Sequence, residues 1–528
     1  MRNLALLFFV LEVTVMRYFR LLMTLLTISC SATMFAQSPR TLTPDTVVLN
    51  LDVAPGEAPL HVTLAQMMSI YKDPGFSIAV VDQDHIAYAT GFGVTSADGG
   101  APVTPHTLFQ AASISKPVVA AGALWLVEHA KLPLDKDVNL KLKSWKVPDN
   151  QFTVKQKVTM RRILCHSAGF NVHGLDGYAP GQPLPTMVQT LDGVPPANNP
   201  PVRVKATPGT GFDYSGGGFT VAGLLIHDVS GQPLEGFLRT HVLLPAGMKE
   251  STFQQPLPPA LAALAASGTD ADGKTLPGKW RVYPELAPDG LWTTPSDLAK
   301  FAIEIALSAD GKANHILSQD SVRKMLTIQA HDEPTNDGGV GLGFALGYQH
   351  QPAIFFHMGS NAGFQSLLMM DPVTGWGYAA MGNSDNFGPI NGAVLNTLSD
   401  WYGWKVASKT GDLGQNLTVV HALRDTQAAL TYYQNAKLRG FADLHHDANS
   451  LNNFGYMLLG EKNFQDAIRV FQFNVAEYPG DWNAYDSLGE AYMDAGERDL
   501  AIANYEKSVK LNPKNENGVA KLKELRAK

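Results

Sequence analysis

A chain of 528 residues exceeds one ordinary hydrophobic core, so two or more domains are expected. Its 45% apolar and 17% charged residues mark a globular rather than a disordered chain, and 41 basic against 48 acidic residues leave a net charge of -7. No basic block exists to neutralise a phosphate backbone, which argues against nucleic acid as a partner.

The N-terminus has the layout of a secretory signal over residues 1–36. Arg17 and Arg20 follow Met16, the run Leu21 to Ile28 is apolar, and small residues surround Ser29 to Ala36. Residues 1–15 carry Glu12 and read as an upstream extension, with Met16 as the alternative start. The expectation is a periplasmic or secreted protein. Thr27-Ile28-Ser29-Cys30 vaguely resembles a lipobox, but Thr27 stands where leucine is usual, so lipidation at Cys30 is the lesser expectation. Once that segment is cleaved, Cys165 is the remaining cysteine and no internal disulfide can form. No later stretch is apolar and long enough to span a bilayer.

From about residue 60 to 405, strand-like and helix-like runs alternate. Ser77 to Val81 and His85 to Thr90 read as a hairpin closed by Gly91-Phe92-Gly93, and Lys116 to His129 reads as a helix with Pro133 beyond its end. Residues 174–211, rich in proline and glycine, read as a long loop of the kind that is usually functional.

Three constellations carry chemistry. The first is Phe109-Gln110-Ala111-Ala112-Ser113-Ile114-Ser115-Lys116-Pro117, in which Ser113 and Lys116, three apart on a helix, share a face. A serine needs a neighbour to take its proton, and a lysine can do so only if burial or another cation lowers its pKa. A nucleophile at a helix start also meets unpaired N–H groups that favour negative charge. A second S-x-x-K, Ser321 to Lys324, reads as an ordinary solvated helix face.

The second constellation is Pro208 to Gly218, where Tyr214 on a glycine-rich turn could bring its hydroxyl to a reacting group and, beside an ammonium, act as a base. The third is Phe355 to Phe364, with His357-Met358-Gly359-Ser360 at a strand edge where glycine lets backbone N–H groups approach a substrate carbonyl.

Taken in order, the three resemble the serine β-lactamase and penicillin-binding-protein superfamily, whose signature is S-x-x-K, then Y-x-N or S-x-N, then K-T-G. Ile163 to Gly169 and Gly290 to Leu298 extend the likeness to the class C β-lactamase, esterase and D-peptidase branch. The resemblance covers about residues 65 to 405. It implies an α+β domain, an antiparallel sheet flanked by helices with a helical lobe. It further implies an acyl-enzyme on Ser113, proton duties shared by Lys116 and Tyr214, and an oxyanion hole from the backbone N–H groups of Ser113 and Ser360, with Gly359 between the latter and His357. No metal or cofactor is implied.

Two departures shape the substrate expectation. Gly216 stands in place of the asparagine of Y-x-N, and His357 in place of the lysine of K-T-G, which removes a permanent cation. Both positions are expected to face substrate. D-amino-acid peptides, amides or esters are therefore favoured over β-lactams. A true β-lactamase, or a slowly acylated penicillin-binding or sensory protein, is the alternative. Lys409-Thr410-Gly411 is a literal K-T-G that reads as linker, and Cys165 reads as a buried structural cysteine beside His166.

Near the C-terminus a period of 34 carries Gly455 to Gly489, Ala467 to Ala501, Phe471 to Tyr505 and Pro479 to Pro513, which resembles the tetratricopeptide repeat. Repeats are expected at 448–481 and 482–515, a capping helix at 517–528, a degenerate helical layer between 419 and 447, and a linker at 406–418. The resemblance implies an all-α superhelix that could dock a protein partner, mediate self-association or cover the hydrolase.

Overall fold

The computed structural model describes residues 40–331, 338–348, 351–406, 411–441, 444–445 and 447–527. The proposed signal segment up to residue 36, with Cys30, and Lys409-Thr410 lie outside the described residues. Two units are distinguished, Met1–Leu42 and Thr43–Lys528. The second holds all the architecture that follows.

An antiparallel hairpin comes first, β1 (Val47–Leu51) with β2 (Leu60–Thr63). The main sheet is built from β3 (Gly75–Asp82) and β4 (His85–Gly93), the pair expected from the alternation at 77–90, together with five later strands. These are β7 (Gly339–Val340), β8 (Ala345–Tyr348), β9 (Gln351–Asn361), β10 (Phe364–Met370) and β11 (Gly377–Gly382), and the order across the sheet is β4-β3-β11-β10-β9-β8-β7. All its pairings are antiparallel.

Strand β3 is buried from Gly75 to Val81, so the sheet is covered on both faces. Ala79, Val81, Leu368, Met370 and Met381 join the main core, which continues through the helical lobe. Phe76, pointing the other way, meets Phe387, with ring centroids 5.2 Å apart.

Two short strands, β5 (Phe109–Gln110) and β6 (Trp292–Thr293), pair outside the main sheet and tie residues far apart in sequence. Directly after β5, α1 (Ser115–Glu128) runs through the lobe, buried almost all round because its sequence is apolar on every face. It packs beside α2 (Gly216–Ser230), whose N-cap Ser215 accepts from the N–H of Gly218 at 3.0 Å. The long loop at 174–211 contains one short helix, Met187–Asp192.

The expected linker at 406–418 is shorter than the sequence suggests. Helix α3 (Leu413–Leu423) begins inside it, because Asp412 caps its N-terminus by accepting from the Gln415 N–H at 2.8 Å. With α4 (Thr426–Leu438) it forms the degenerate layer expected from the sequence. The repeats follow as α5 (Ala448–Gly460) with α6 (Phe464–Glu477), and α7 (Trp482–Asp494) with α8 (Arg498–Leu511), before the closing helix α9 (Glu516–Ala527). Gly455 and Gly489 lie against the rings of Phe471 and Tyr505, so a Cβ at either would crowd the aromatic that fills its hairpin. No helix among the described residues is long and apolar enough to cross a membrane.

The β1–β2 hairpin links the two parts. Asn435 donates to the Asp52 carbonyl at 2.8 Å, Arg439 pairs with Asp52 at 2.7 Å, and Arg424 pairs with Glu57 at 2.7 Å. The partners sit on the hydrolase side of the boundary, so α3 and α4 behave as a bracket for the first hairpin as well as the base of the repeats. A chain ending at Gly440 should therefore melt above one ending at Val406, with the shorter chain about 5 °C or more below it. Equal melting temperatures by calorimetry would refute the bracket.

Candidate active site

The nucleophile turn is shaped by its neighbours. Ala112 adopts φ +50°, an uncommon conformation for a residue with a Cβ, which leaves Ser113 in a 3-10 turn at the mouth of α1. Ser115 Oγ donates to the Ala112 carbonyl at 2.6 Å and accepts from the Leu291 N–H at 3.0 Å, while the Ala111 N–H donates to the Leu291 carbonyl at 2.9 Å. The β5–β6 pairing thus carries the stretch after Pro288 against the turn.

On the far side, β8 pairs with β9 only as far as Phe356, so the edge from His357 onward faces the nucleophile turn. Gly359 permits the approach: a Cβ there would overlap the Ala111 carbonyl and Ser366 Oγ. Ser366 Oγ, on β10, also donates to the Ala111 carbonyl at 2.9 Å.

A cavity of about 490 Å³ opens between these elements, lined by Ser113, Lys116, Tyr214, Gly359 and Ser360 of the residues singled out in the sequence. Lys116 Nζ is buried and donates to Ser113 Oγ at 2.8 Å, to the Pro288 carbonyl at 3.0 Å and to Asp289 Oδ1 at 3.4 Å. Ser113 Oγ donates in turn to Asp289 Oδ1 at 3.2 Å. The Tyr214 ring centre is 5.0 Å from Lys116 Nζ, within reach of a cation–π interaction.

Burial alone pulls Lys116 down, as a lysine base requires, but Asp289 and Tyr214 more than offset it and the net direction is upward. The expectation of a lysine with a lowered pKa is thereby corrected. Its reason is a carboxylate, Asp289, that sequence reasoning missed: the motif was read from Gly290, one residue too late. Asp289 is held from behind by Asn361 Nδ2, which donates to its carbonyl at 3.3 Å and to Gln110 Oε1 at 2.8 Å.

His166, read as an incidental neighbour of Cys165, is the shelf for Tyr214. Its ring stacks on Tyr214 at 4.2 Å, and its Nδ1 accepts from the Ser215 N–H at 3.1 Å. Burial, then the nearby charge of Lys116, holds it well below the usual histidine range, so it stays a neutral acceptor. Cys165 is buried with its thiol 3.2 Å from Ser167 Oγ, and burial pushes it up. The second S-x-x-K lies on a short helix, Gln319–Met325, with Lys324 paired to Asp320.

Two expected substrate contacts are corrected. Gly216 is buried at the start of α2, its N–H donating to the His173 carbonyl at 2.7 Å, and the loop residues His173, Gly174 and Leu175 line the cavity in its place. His357 does not line the cavity either. It is 9% exposed, its Nδ1 donates to the Met358 carbonyl at 2.6 Å, and its pKa is pushed down to about 3 by burial and the charge of Lys116. At neutral pH it carries no charge.

The beta-lactamase family model matches residues 62–395, and the tetratricopeptide repeat model matches 482–515. The chain belongs to the beta-lactamase family. Within it, the chain is similar to Protein flp of Staphylococcus aureus (strain MW2), 25% identical over 59% of this chain and 59% of that protein. It thus spans about three-fifths of that relative's length. Among solved structures, the octameric penicillin-binding protein homologue from Pyrococcus abyssi is 25% identical with a TM-score of 0.51, covering 64% of this chain and 76% of that one. The D-amino acid amidase from Ochrobactrum anthropi SV3, complexed with L-phenylalanine, shares the fold at 21% identity and a TM-score of 0.50, covering 64% and 98%.

Near the site, Glu285 is fully buried, and neither carboxylate oxygen reaches a hydrogen-bond partner beyond its own backbone. Burial, with the charge of Asp289 adding to it, raises its pKa from 4.5 to about 8. Asp73, also buried, is raised to about 8 by burial. A folded pKa raised above the unfolded value gives stability that is complete below about pH 4.5 and is lost as pH climbs toward 8, at about 1.4 kcal/mol per pH unit per group. Glu285→Gln should remove one of these two slopes, raising Tm at pH 8 relative to the parent far more than at pH 4.5. Parallel Tm-against-pH curves for the two proteins would show that Glu285 is not buried in neutral form.

Proposed function

We propose that this chain is an exported serine hydrolase that forms an acyl-enzyme on Ser113 and acts on D-amino-acid peptides or amides, or on carboxylic esters. Ser113 Oγ attacks the substrate carbonyl as its proton passes to the coupled Lys116–Tyr214 pair, and the pair returns that proton to the departing alcohol or amine. The backbone N–H groups of Ser113 and Ser360 receive the carbonyl oxygen, and water then releases the acyl group.

The observation that carries the substrate class is the charge inventory of the cavity. Among the described residues, Lys116 is the one permanent cation lining it, and Asp289 already neutralises that charge. His357, at the position where the family signature has lysine, is buried and neutral. A substrate carboxylate, as in penicillins and cephalosporins, finds no cation to hold it, whereas a neutral acyl group loses nothing. The D-amino acid amidase shows that this fold can host amide hydrolysis.

Export rests on the signal-like layout of residues 1–36 and is tested by fractionation and the mass of the mature N-terminus. The repeats, supported by the family match at 482–515, would serve a protein partner or self-association. The decisive experiment is a panel of p-nitrophenyl esters, D-alanyl amides and peptides, and a chromogenic cephalosporin. An ester or D-amide should show the highest kcat/KM. A cephalosporin preferred over every ester and amide would overturn the substrate class and make β-lactamase the better reading.

A further inference from the structure

The cavity that holds Ser113 does not end at the nucleophile turn. It continues around the free edge of β9 onto the opposite face of the sheet, where Met358, Leu367, Phe387 and Gly388 line it. Register fixes the two faces. Gly359 and Ser366 are cross-strand partners on β9 and β10 that turn to the Ala111 carbonyl. The flanking pairs, Met358 with Leu367 and Ser360 with Gln365, therefore turn the other way. That is the face on which Phe76 meets Phe387, the first residue of the helix Phe387–Tyr402. The edge is open because β8 pairs with β9 only as far as Phe356.

This arm of the cavity differs in chemistry from the nucleophile turn. Leu367 and Phe387 are 6% and 1% exposed and form an apolar floor, whereas Met358 beside them is 63% exposed. A long apolar side chain held in solvent next to such a floor is stabilised when an apolar group covers it, and a methionine adapts its shape to that group. Two amides at the rim are each tied at one end. Gln365 Nε2 donates to the Asp385 carbonyl at 2.6 Å, and Asn391 Oδ1 accepts from the Tyr378 hydroxyl at 2.9 Å. Among the described residues, none that lines the cavity on this face is ionisable.

The proton path says which end of a substrate reaches the arm. The Lys116–Tyr214 pair hands its proton to the departing alcohol or amine. His357 is the β9 residue that meets this pair, its ring 6.5 Å from that of Tyr214 and under the charge of Lys116. Met358 is next along the strand, so a departing group protonated there crosses the edge beside it.

We propose that Met358, with Leu367 and Phe387, forms a subsite for the apolar part of the leaving group, which makes esters of longer alcohols, or amides of apolar amines, better substrates than their ethyl counterparts. The proposal rests on the acyl-enzyme reading of Ser113 given above and narrows its substrate class. The occupant is the substrate's own apolar group, because the arm is continuous with the catalytic cavity and offers no charge to hold a polar one. At about 490 Å³ the cavity has room for the reacting group and a short alkyl chain together.

The test keeps the acyl group constant and lengthens the leaving group: ethyl, butyl and hexyl acetate, and the N-ethyl, N-butyl and N-hexyl amides of D-alanine, with the full chain. In the series that is hydrolysed, kcat/KM should rise about tenfold or more from ethyl to hexyl. Met358→Ser should bring that ratio to within about threefold of one, and Met358→Leu should keep it. Val373→Ser, at an exposed apolar residue outside the cavity, should leave the ratio unchanged. Fluorophosphonate labelling of Ser113 should also be slowed by 1-hexanol at a concentration about tenfold or more below that of ethanol, a difference lost in Met358→Ser. A parent that shows neither preference overturns the subsite, as does a preference that Met358→Ser leaves intact, including one where a dimer of the parent dissociates in that variant and so assigns the patch to a second copy. A flat leaving-group series beside a rise from p-nitrophenyl acetate to hexanoate that Met358→Ser removes overturns it too, because the acyl group then lies on Met358. In each of these cases labelling at Ser113 leaves the acyl-enzyme reading standing. No labelling at Ser113 and no turnover in either series would instead sink that reading, and the subsite with it.

Discussion

Replacing Ser113 by alanine should abolish hydrolysis, with a loss of kcat of about 10⁴-fold or more, and eliminate labelling by a fluorophosphonate. The size follows from the role: without Oγ there is no atom to carry the acyl group, and what remains is binding and an oxyanion hole around water. The fold should not suffer, because Ser113 sits at the edge of an open cavity and the turn is held by Ser115 rather than by its own side chain. Ser321→Ala is the matched control. Ser321 is buried on a short helix where Lys324 is paired with Asp320, away from the cavity, so that variant should keep full activity. Loss of activity in the control, or its retention in Ser113→Ala, would move the nucleophile elsewhere. Intact mass spectrometry after labelling gives the same answer without a substrate choice.

What the sequence disclosed and what it hid divide along a physical line. Local periodicity was legible: the 77–90 hairpin, the helix after Ser113 and the 34-residue repeat depend on neighbours a few positions or one repeat apart. The three motifs were legible as residue types, and the cavity does gather Ser113, Lys116, Tyr214, Gly359 and Ser360. Asp289 was not, because its meaning depends on a two-residue strand pairing between Gln110 and Trp292, too short to leave a pattern.

The protonation of Lys116 was misjudged for the same reason. Burial and a counter-charge push in opposite directions, and their balance is unreadable until the carboxylate is located. Gly216 and His357 were assigned to substrate from their place in motifs, whereas packing settles the matter: a loop carbonyl covers one, and the other turns its Nδ1 to a neighbouring carbonyl. The bracket formed by α3 and α4 escaped notice because its partners, Asp52 and Glu57, lie more than 350 residues away in the chain.

Gly359→Ala should damage catalysis severely through a single added methyl. The position lies where β9 passes the nucleophile turn, and the added Cβ would overlap two groups at once, the Ala111 carbonyl oxygen and Ser366 Oγ. Neither can yield cheaply. The Ala111 residue is pinned by its N–H to the Leu291 carbonyl, and Ser366 is tied to the Ala111 carbonyl by its own hydrogen bond. The strand must therefore move away from the turn, at a cost of about 1–3 kcal/mol for overpacking. The consequence for catalysis is larger than the consequence for stability. Displacing β9 shifts the Ser360 N–H relative to Ser113, and a displacement of about 1 Å in such an arrangement costs on the order of 100-fold in rate. The expected result is a folded protein with a modestly lower Tm, kcat/KM down by about 100-fold on every substrate, and fluorophosphonate labelling slowed in proportion. Gly236→Ala, on a helix of the lobe where an added Cβ meets nothing within 4 Å, is the control and should match the parent in rate. If Gly359→Ala keeps its rate while losing stability, the β9 edge packs against the turn without helping to bind the reacting carbonyl, and the oxyanion hole must be sought in other backbone groups around Ser113.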